Sequence, residues 1–347
     1  MQFPYQKISI TLVSGLPPRT KDVLVRRFGL QEEEPQTLEA IGQSHGITRE
    51  RVRQIVEDGI RQVKEAAKEN REQEKLEAIF ELLSDILKDS GYLKRQDLLV
   101  EAVQAQKAGN HVVFLLHLGD QFYKHKETEY VHPFWASRKE VVEASPSVLD
   151  KILHFLQERK EALHFDELRK AHGEIETEKL NPRTLASLLE VSKLITQAYN
   201  GKWGLREWPE VYPKGMRDKA YVVLKNATKP LHFIDVTQLI EQLQESLVDQ
   251  KKKSVLPQTV HNELIKDPRF ILVGRGTYGL SEWGYKPGTV KDVIREILKE
   301  NGEAMDKEKI IQKTLAQRQV KESTILLNLQ DKRAFLRDQG GNYHLVS

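Results

Sequence analysis

A mainly α-helical chain is predicted, with three helices at the amino terminus and then three to four copies of a unit of three helices and a β-hairpin. Three observations predict it. Apolar residues recur at helical spacing between capping residues and glycines from Leu16 to Gln54. A Gly-x-aromatic-x-Leu element returns in the second half, each time keeping step with a second marker upstream. Each such element is preceded by a Pro-x-Thr or Glu-x-Thr helix start.

The first helix opens at Leu16-Pro17-Pro18-Arg19, because proline fits a first helical turn whose N–H groups are unpaired anyway. Val23, Leu24 and Phe28 follow at core spacing, and Gly29 stops the helix. Gln31 to Gln36 is an acidic loop. Thr37 caps a second helix with Leu38 and Ile41 facing inward, and Gly46 permits the tight turn that follows. Thr48 caps a third helix, read over Thr48–Val56, with Arg51 where a capping box would carry Glu or Gln. Val52, Ile55 and Val56 face the core. Arg49, Glu50, Arg53 and Gln54 then point outward from its first turns. Arg pairs bidentately with guanine, Gln with adenine, and Glu accepts from the cytosine amine. Arg- and Glu-rich helix faces are commonly just solvated. Here the capped turn, its glycine and the resemblance given next favour a helix-turn-helix, the form whose second helix lies in the DNA major groove.

LPPRTKDVLVRRFGL followed by TLEAIGQSHGITRERVRQI resembles region four of bacterial housekeeping sigma factors, over about residues 16–66. That resemblance implies promoter DNA and the RNA polymerase core as partners. It places Arg49, Glu50, Arg53 and Gln54 on base edges. It places Arg19, Arg27 and Thr37 on the phosphate backbone, to which we add Arg51. Only fifteen residues precede Leu16, and no aromatic-rich melting helix follows, so a complete initiation factor is not expected.

The rest reads as repeats. GKWGLREW begins at Gly201 and GTYGLSEW at Gly276, and Thr184 and Thr259 in their Pro-x-Thr signatures keep the same interval. Thr324 and the Gly341–Leu345 element repeat both markers once more, at a second and slightly shorter common interval. First helices are expected at Val148–Arg159, Asp218–Asn226 and Val290–Asn301. Second helices are expected at Phe165–His172, Ile234–Glu245 and Lys307–Ala316. A more divergent copy has helices at Leu76–Lys88, Gln96–Gln106 and Val112–Leu118 and a hairpin from Phe122 to Trp135. Trp135 precedes Trp208 by almost the interval that separates Trp208 from Trp283. Three helices and a hairpin make the winged-helix form, so the expected domains are 1–68, 76–136, 146–210, 215–284 and 288–347. Trp208–Gly215 and Gly284–Thr289 are the expected joints.

The units at 146–210 and 215–284 resemble the HARE-type winged helix, found in the delta subunit of bacterial RNA polymerase, in chromatin proteins and beside some restriction enzymes. The carrying residues are Gly201, Trp203, Gly204, Leu205 and Trp208, then Gly276, Tyr278, Gly279, Leu280 and Trp283. The four rings are expected to close the core beneath the hairpin. Arg183, Thr184, Gln258, His261, Ser323 and Asn328 sit where a third helix would expose them. The Lys251-Lys252-Lys253 loop is positioned to meet phosphate.

Composition sets the limits. The chain has 347 residues, 39% hydrophobic and 30% charged, with a net charge of +3 and a pI near 8.7. A blanket of positive charge is excluded, so nucleic-acid binding has to come from local patches. The absence of cysteine excludes disulfides, thiol nucleophiles and ordinary zinc fingers. Four histidines, His111, His117, His125 and His132, cluster without metal-ligand spacing. There is no phosphate loop or Gly-x-Ser-x-Gly elbow. No enzyme activity, cofactor, metal, membrane or small-molecule substrate is expected. The apolar runs are short, and the expected location is the cytoplasm, on the nucleoid. The expected function is a sequence-specific transcription factor or polymerase accessory factor. The alternative is a protein–protein adaptor that docks on polymerase without reading DNA.

Overall fold

The computed structural model describes residues 3–31, 34–68, 73–174, 181–247 and 254–346. It is mostly helical with small antiparallel sheets, and it divides into two compact units. The first holds residues 1–197 and 202–206, and the second holds 198–201 and 207–347.

The first unit opens with α1 (Tyr5–Ser14), which the sequence reading passed over. Tyr5, Ile8, Leu12 and Val13 are buried along one side of it. α2 (Pro18–Phe28) has its proline in the first turn and Gly29 at φ 63°, the left-handed stop that glycine adopts without strain. α3 (Leu38–His45) is capped by Thr37, whose hydroxyl accepts from the Ala40 amide at 3.1 Å. Gly46, at φ 64°, turns the chain into α4 (Arg49–Lys68). α4 runs well beyond the expected end at Val56. The buried stripe simply continues through Gly59, Val63 and Ala67.

The next stretch contains α5 (Gln73–Asp89), β1 (Leu93–Arg95), α6 (Gln96–Ala102), α7 (Gly109–Leu118), β2 (Tyr123–His125) and β3 (Phe134–Ala136). β3 lies between β1 and β2, antiparallel to both. α6 is shorter than the expected Gln96–Gln106, because Gln104 adopts φ 53° and ends the run. The expected domain boundary falls between residues 68 and 76, but the hydrophobic core does not stop there. Leu24, Phe28, Leu30, Val63 and Ala67 belong to one buried cluster with Leu83, Leu99, Phe114, Leu115 and Trp135. Phe28 meets Phe114 edge-on at 5.2 Å and His117 at 5.0 Å.

The unit closes with α8 (Lys139–Arg159), α9 (Phe165–Glu174), α10 (Pro182–Val191), β4 (Ile195–Gln197) and β5 (Trp203–Leu205). α8 begins more than two turns before the expected Val148 and contains Pro146. Val141, Ser145, Val148, Leu149, Ile152 and Leu156 carry a buried stripe across the proline.

The second unit has the same order twice. α11 (Met216–Ala227), β6 (Leu231–His232), α12 (Phe233–Ser246), α13 (Pro257–Lys266), β7 (Phe270–Gly274) and β8 (Thr277–Leu280) come first, with β8 between β6 and β7. α14 (Val290–Asn301), α15 (Lys307–Gln317), α16 (Glu322–Leu329), β9 (Phe335–Arg337) and β10 (Tyr343–Leu345) follow. α14 is closed by a full Thr289–Asp292 capping box.

Strand register corrects one alignment. Trp135 pairs with Lys94, two residues before α6. Trp203 pairs with Leu163, Tyr278 with Leu231 and Tyr343 with Met305, each two residues before the second helix of its copy. Trp135 is therefore the counterpart of Trp203 and not of Trp208. Trp135, Trp203 and Tyr278 are buried, as a core ring should be. Trp208 and Trp283 are only half-buried. The expected joint at Gly284–Thr289 is pinned. Arg318, 4% exposed, donates to the carbonyls of Lys286 and Gly288.

Candidate nucleic-acid interface

Two helices and a turn position the candidate residues. Val23, Ile41 and Val52, all fully buried, form a small core joining α2, α3 and α4. α3 approaches the following turn so closely that a Cβ on Gly42 would fall 2.7 Å from the Ile47 carbonyl oxygen. Asp22 adds a polar brace that the sequence reading missed. It accepts from His45 Nε2 at 2.9 Å and from Arg26 Nε at 3.2 Å, linking α2 to α3. Only the meeting of positions 22 and 45 in space gives the brace away, and neither residue signals it alone.

The outward face of α4 is open. Arg49, Glu50, Arg51, Arg53 and Gln54 are all exposed at its first turns. Unpaired amides and the helix dipole make that end locally positive, which suits a phosphate-bearing partner. The Thr48 hydroxyl accepts from the Arg51 amide at 3.2 Å, completing the cap. The side chains pair along the helix. Arg53 donates to Glu50 at 2.6 and 2.9 Å and also to Glu57. Arg51 donates to Gln54 at 3.0 Å. The hydrogen bond from Arg53 holds the Glu50 carboxyl below its usual range and raises the Arg53 guanidinium further. All of these partners sit within α4, so the face is self-paired and uncovered.

The expected backbone contacts surround it. Arg19 is exposed at the start of α2. Arg27 is half-buried and donates to the Gln36 carbonyl at 2.8 Å, which fixes the chain entering α3. The Thr37 hydroxyl is engaged as the α3 cap.

The weaker candidates fare differently. Arg183 stays exposed, 3.8 Å from Asp89. Thr184 does not: it is 1% exposed, and its hydroxyl donates to the Gly91 carbonyl at 2.8 Å. Ser187 on the same helix donates to the Ser90 carbonyl at 2.7 Å. The third helix of this copy is therefore turned into the preceding one, because small hydroxyl side chains let it approach a backbone turn. Gln258 is exposed and bonded to Asn262, and His261 stacks on Phe233 at 4.4 Å. Ser323 is exposed, whereas Asn328 is half-buried and donates back to the Thr324 carbonyl. Lys251, Lys252 and Lys253 lie outside the described residues.

The histidines are separate packing elements. His117 lies between Phe28 and Trp135, and His125 stacks on Phe134. Among the described residues no group of three or more His, Asp or Glu side chains is placed to hold a metal. Nor is any helix among them long and apolar enough to cross a membrane.

Residues 12–65 match the family "Sigma-70, region 4". Within this stretch the chain is 51% identical over 52 residues to the RNA polymerase sigma factor RpoS of Coxiella burnetii, 15% of each chain. It is 36% identical over 58 residues to the RNA polymerase principal sigma factor HrdD of Streptomyces coelicolor, 17% of this chain and 18% of that one. It is 45% identical over 53 residues to the RNA polymerase sigma factor SigA1 of Synechococcus elongatus, 15% of this chain and 13% of that one. The chain thus spans less than a fifth of the length of these curated relatives. The similarity falls on the helix-turn-helix, with α4 as its second helix.

Proposed function

We propose that this protein reads double-stranded DNA with the first turns of α4 and acts as a sequence-specific transcription factor or RNA polymerase accessory factor. One observation carries the reading: Arg49, Glu50, Arg53 and Gln54 stand uncovered at the capped start of a helix whose other side packs inward, with Val52 fully buried and Ile55 and Val56 partly so. In this reading those four side chains contact base edges, while Arg19, Arg27, Thr37 and Arg51 hold the flanking phosphates. The four copies of helix, helix, helix and hairpin are read as winged helices, of the HARE type at 146–210 and 215–284. RNA polymerase core is the proposed protein partner, and the nucleoid the proposed location. The sigma-factor similarity supports both.

Arg53→Ala tests the assignment. Losing one bidentate base contact should weaken cognate binding roughly ten- to a hundredfold and relax the preference at one base pair. Unchanged affinity and unchanged preference in a selection from random DNA would remove α4 from the role.

The last copy favours a second reading, an adaptor that docks on protein. Leu315, Leu327 and Leu336 are exposed there, Leu327 at 68%. Salt dependence separates the two, since phosphate contacts give a log–log slope of about −0.9 each. Polymerase capture with negligible DNA affinity would favour the adaptor.

A further inference from the structure

We infer that the DNA-binding surface extends beyond the helix-turn-helix onto strand β2 of the next repeat, where Lys124 and, just past the strand, Lys126 hold additional phosphates of the same duplex. The inference rests on the proposed reading of α4 and deepens it.

The geometry is a short chain of contacts. Arg27, a proposed phosphate contact, precedes Phe28 at the end of α2. Phe28 meets the His117 ring at 5.0 Å, and His117 meets Trp135 edge-on at 4.9 Å. Lys124 is the direct cross-strand partner of Trp135, so both side chains leave the same face of the sheet. Its ammonium lies 5.3 Å from the centre of the Trp135 ring. The ammonium therefore lies over the indole face, which holds it at the edge of the sheet. Lys124 and Lys126 are both exposed, and among the described residues neither has a carboxylate partner. The two acids flanking the strand are already engaged, Asp120 by Lys64 at 2.6 Å and Glu127 by Lys193 at 2.7 Å. Lys124 is exposed as a residue, yet its ammonium over the Trp135 ring is partly desolvated, which lowers it first; the charges of Arg27 and Lys126 lower it further. Lys124, Arg27 and Lys64 also add to the depression of His117.

A partly desolvated cation beside other cations is an unfavourable arrangement for a free protein. A phosphate relieves it by supplying the missing opposite charge. The shared core makes the arrangement reproducible, because β2 is fixed to α2 through buried rings instead of a linker.

The experiment compares the full-length chain with its Lys124→Ala/Lys126→Ala and Lys124→Arg/Lys126→Arg variants. The probe is a duplex that the wild-type chain selects from random DNA. The alanine pair should reduce the salt slope of log Kobs by about 2, one phosphate for each lysine. Base preference should stay the same, and backbone protection should shorten at one end only. The arginine pair should retain the wild-type slope, which separates charge from folding. An unchanged slope and full-length protection in the alanine pair overturn the extension while leaving α4 as the reader. Absence of selective duplex binding by the wild-type chain overturns both.

Discussion

At the scale of single residues, Arg53 shows how small energies decide a larger one. Its guanidinium is shared between Glu50 and Glu57 on an exposed helix face. Solvent-exposed ion pairs change equilibria by at most a few-fold, whereas a bidentate guanine contact is worth roughly ten- to a hundredfold. In the proposed reading a base edge therefore outcompetes the two carboxylates for the arginine, and Glu50 and Glu57 disfavour its use on a random phosphate. His117 illustrates the opposite environment. Burial pushes its ring down to about 4 from the usual 6.5, against a hydrogen bond to the Val113 carbonyl. The unfolded chain takes up that proton first, so stability is complete above about pH 6.5 and is lost as the pH falls towards 4. The loss should be about 2 kcal/mol, allowing for the ring's partial exposure. His117→Phe should flatten that acid limb in urea melts at pH values on either side of the window. An acid slope as steep as the wild type's would place the titration elsewhere.

At the scale of elements, the turn between α3 and α4 depends on a glycine that is helical and buried. Alanine normally stabilises a helix interior by about 1 kcal/mol over glycine. At position 42 its Cβ would meet backbone, the Ile47 carbonyl oxygen, which cannot rotate away. Gly42→Ala should therefore destabilise by roughly 1–3 kcal/mol. A thermal midpoint equal to or above the wild type's would contradict the close approach.

The same elements show what could be read in advance. α2, α3 and the start of α4 were legible because proline, threonine and glycine mark every boundary. α10, α13 and α16 open at their Pro-x-Thr or Glu-x-Thr signatures for the same reason. α1 was missed because Ile8, Ile10, Thr11 and Val13 give it the β-branched look of a strand. The outward face of α4 is legible from spacing, but its distinction from an ordinary solvated face rests on the capped glycine turn and the sigma-factor resemblance. The burial of Thr184 and Ser187 was not, since small polar residues suggest a surface until a backbone turn is placed against them. The joining of Phe28 to Phe114 depends on a contact between distant parts of the chain, which no local pattern announces.

At the scale of the whole molecule, each unit contains the order helix, helix, helix and hairpin twice, and the two successive runs are joined differently in each. In the first unit α10 seats on the turn that follows α5. Gly91 has φ 73° there, and an added Cβ would lie 2.2 Å from the Thr184 amide nitrogen. Gly91→Ala should lift α10 from that seat. Hydrogen exchange should then speed up at residues 182–191 while α3 and α4 keep their protection. Unaltered protection of α10 would mean that the seat tolerates a methyl group. In the second unit the join is a hairpin end: the Gln319 amide donates to the Val273 carbonyl at 2.7 Å, and α16 keeps an open face.

The seating of α10 also changes how a target site should be sized. A helix whose Thr184 and Ser187 are fastened to a neighbouring backbone leaves only its first turn, at Pro182 and Arg183, exposed to a partner. Under the proposed DNA-binding role, multiplying a per-module span by the number of modules would therefore overestimate the length of the protected site.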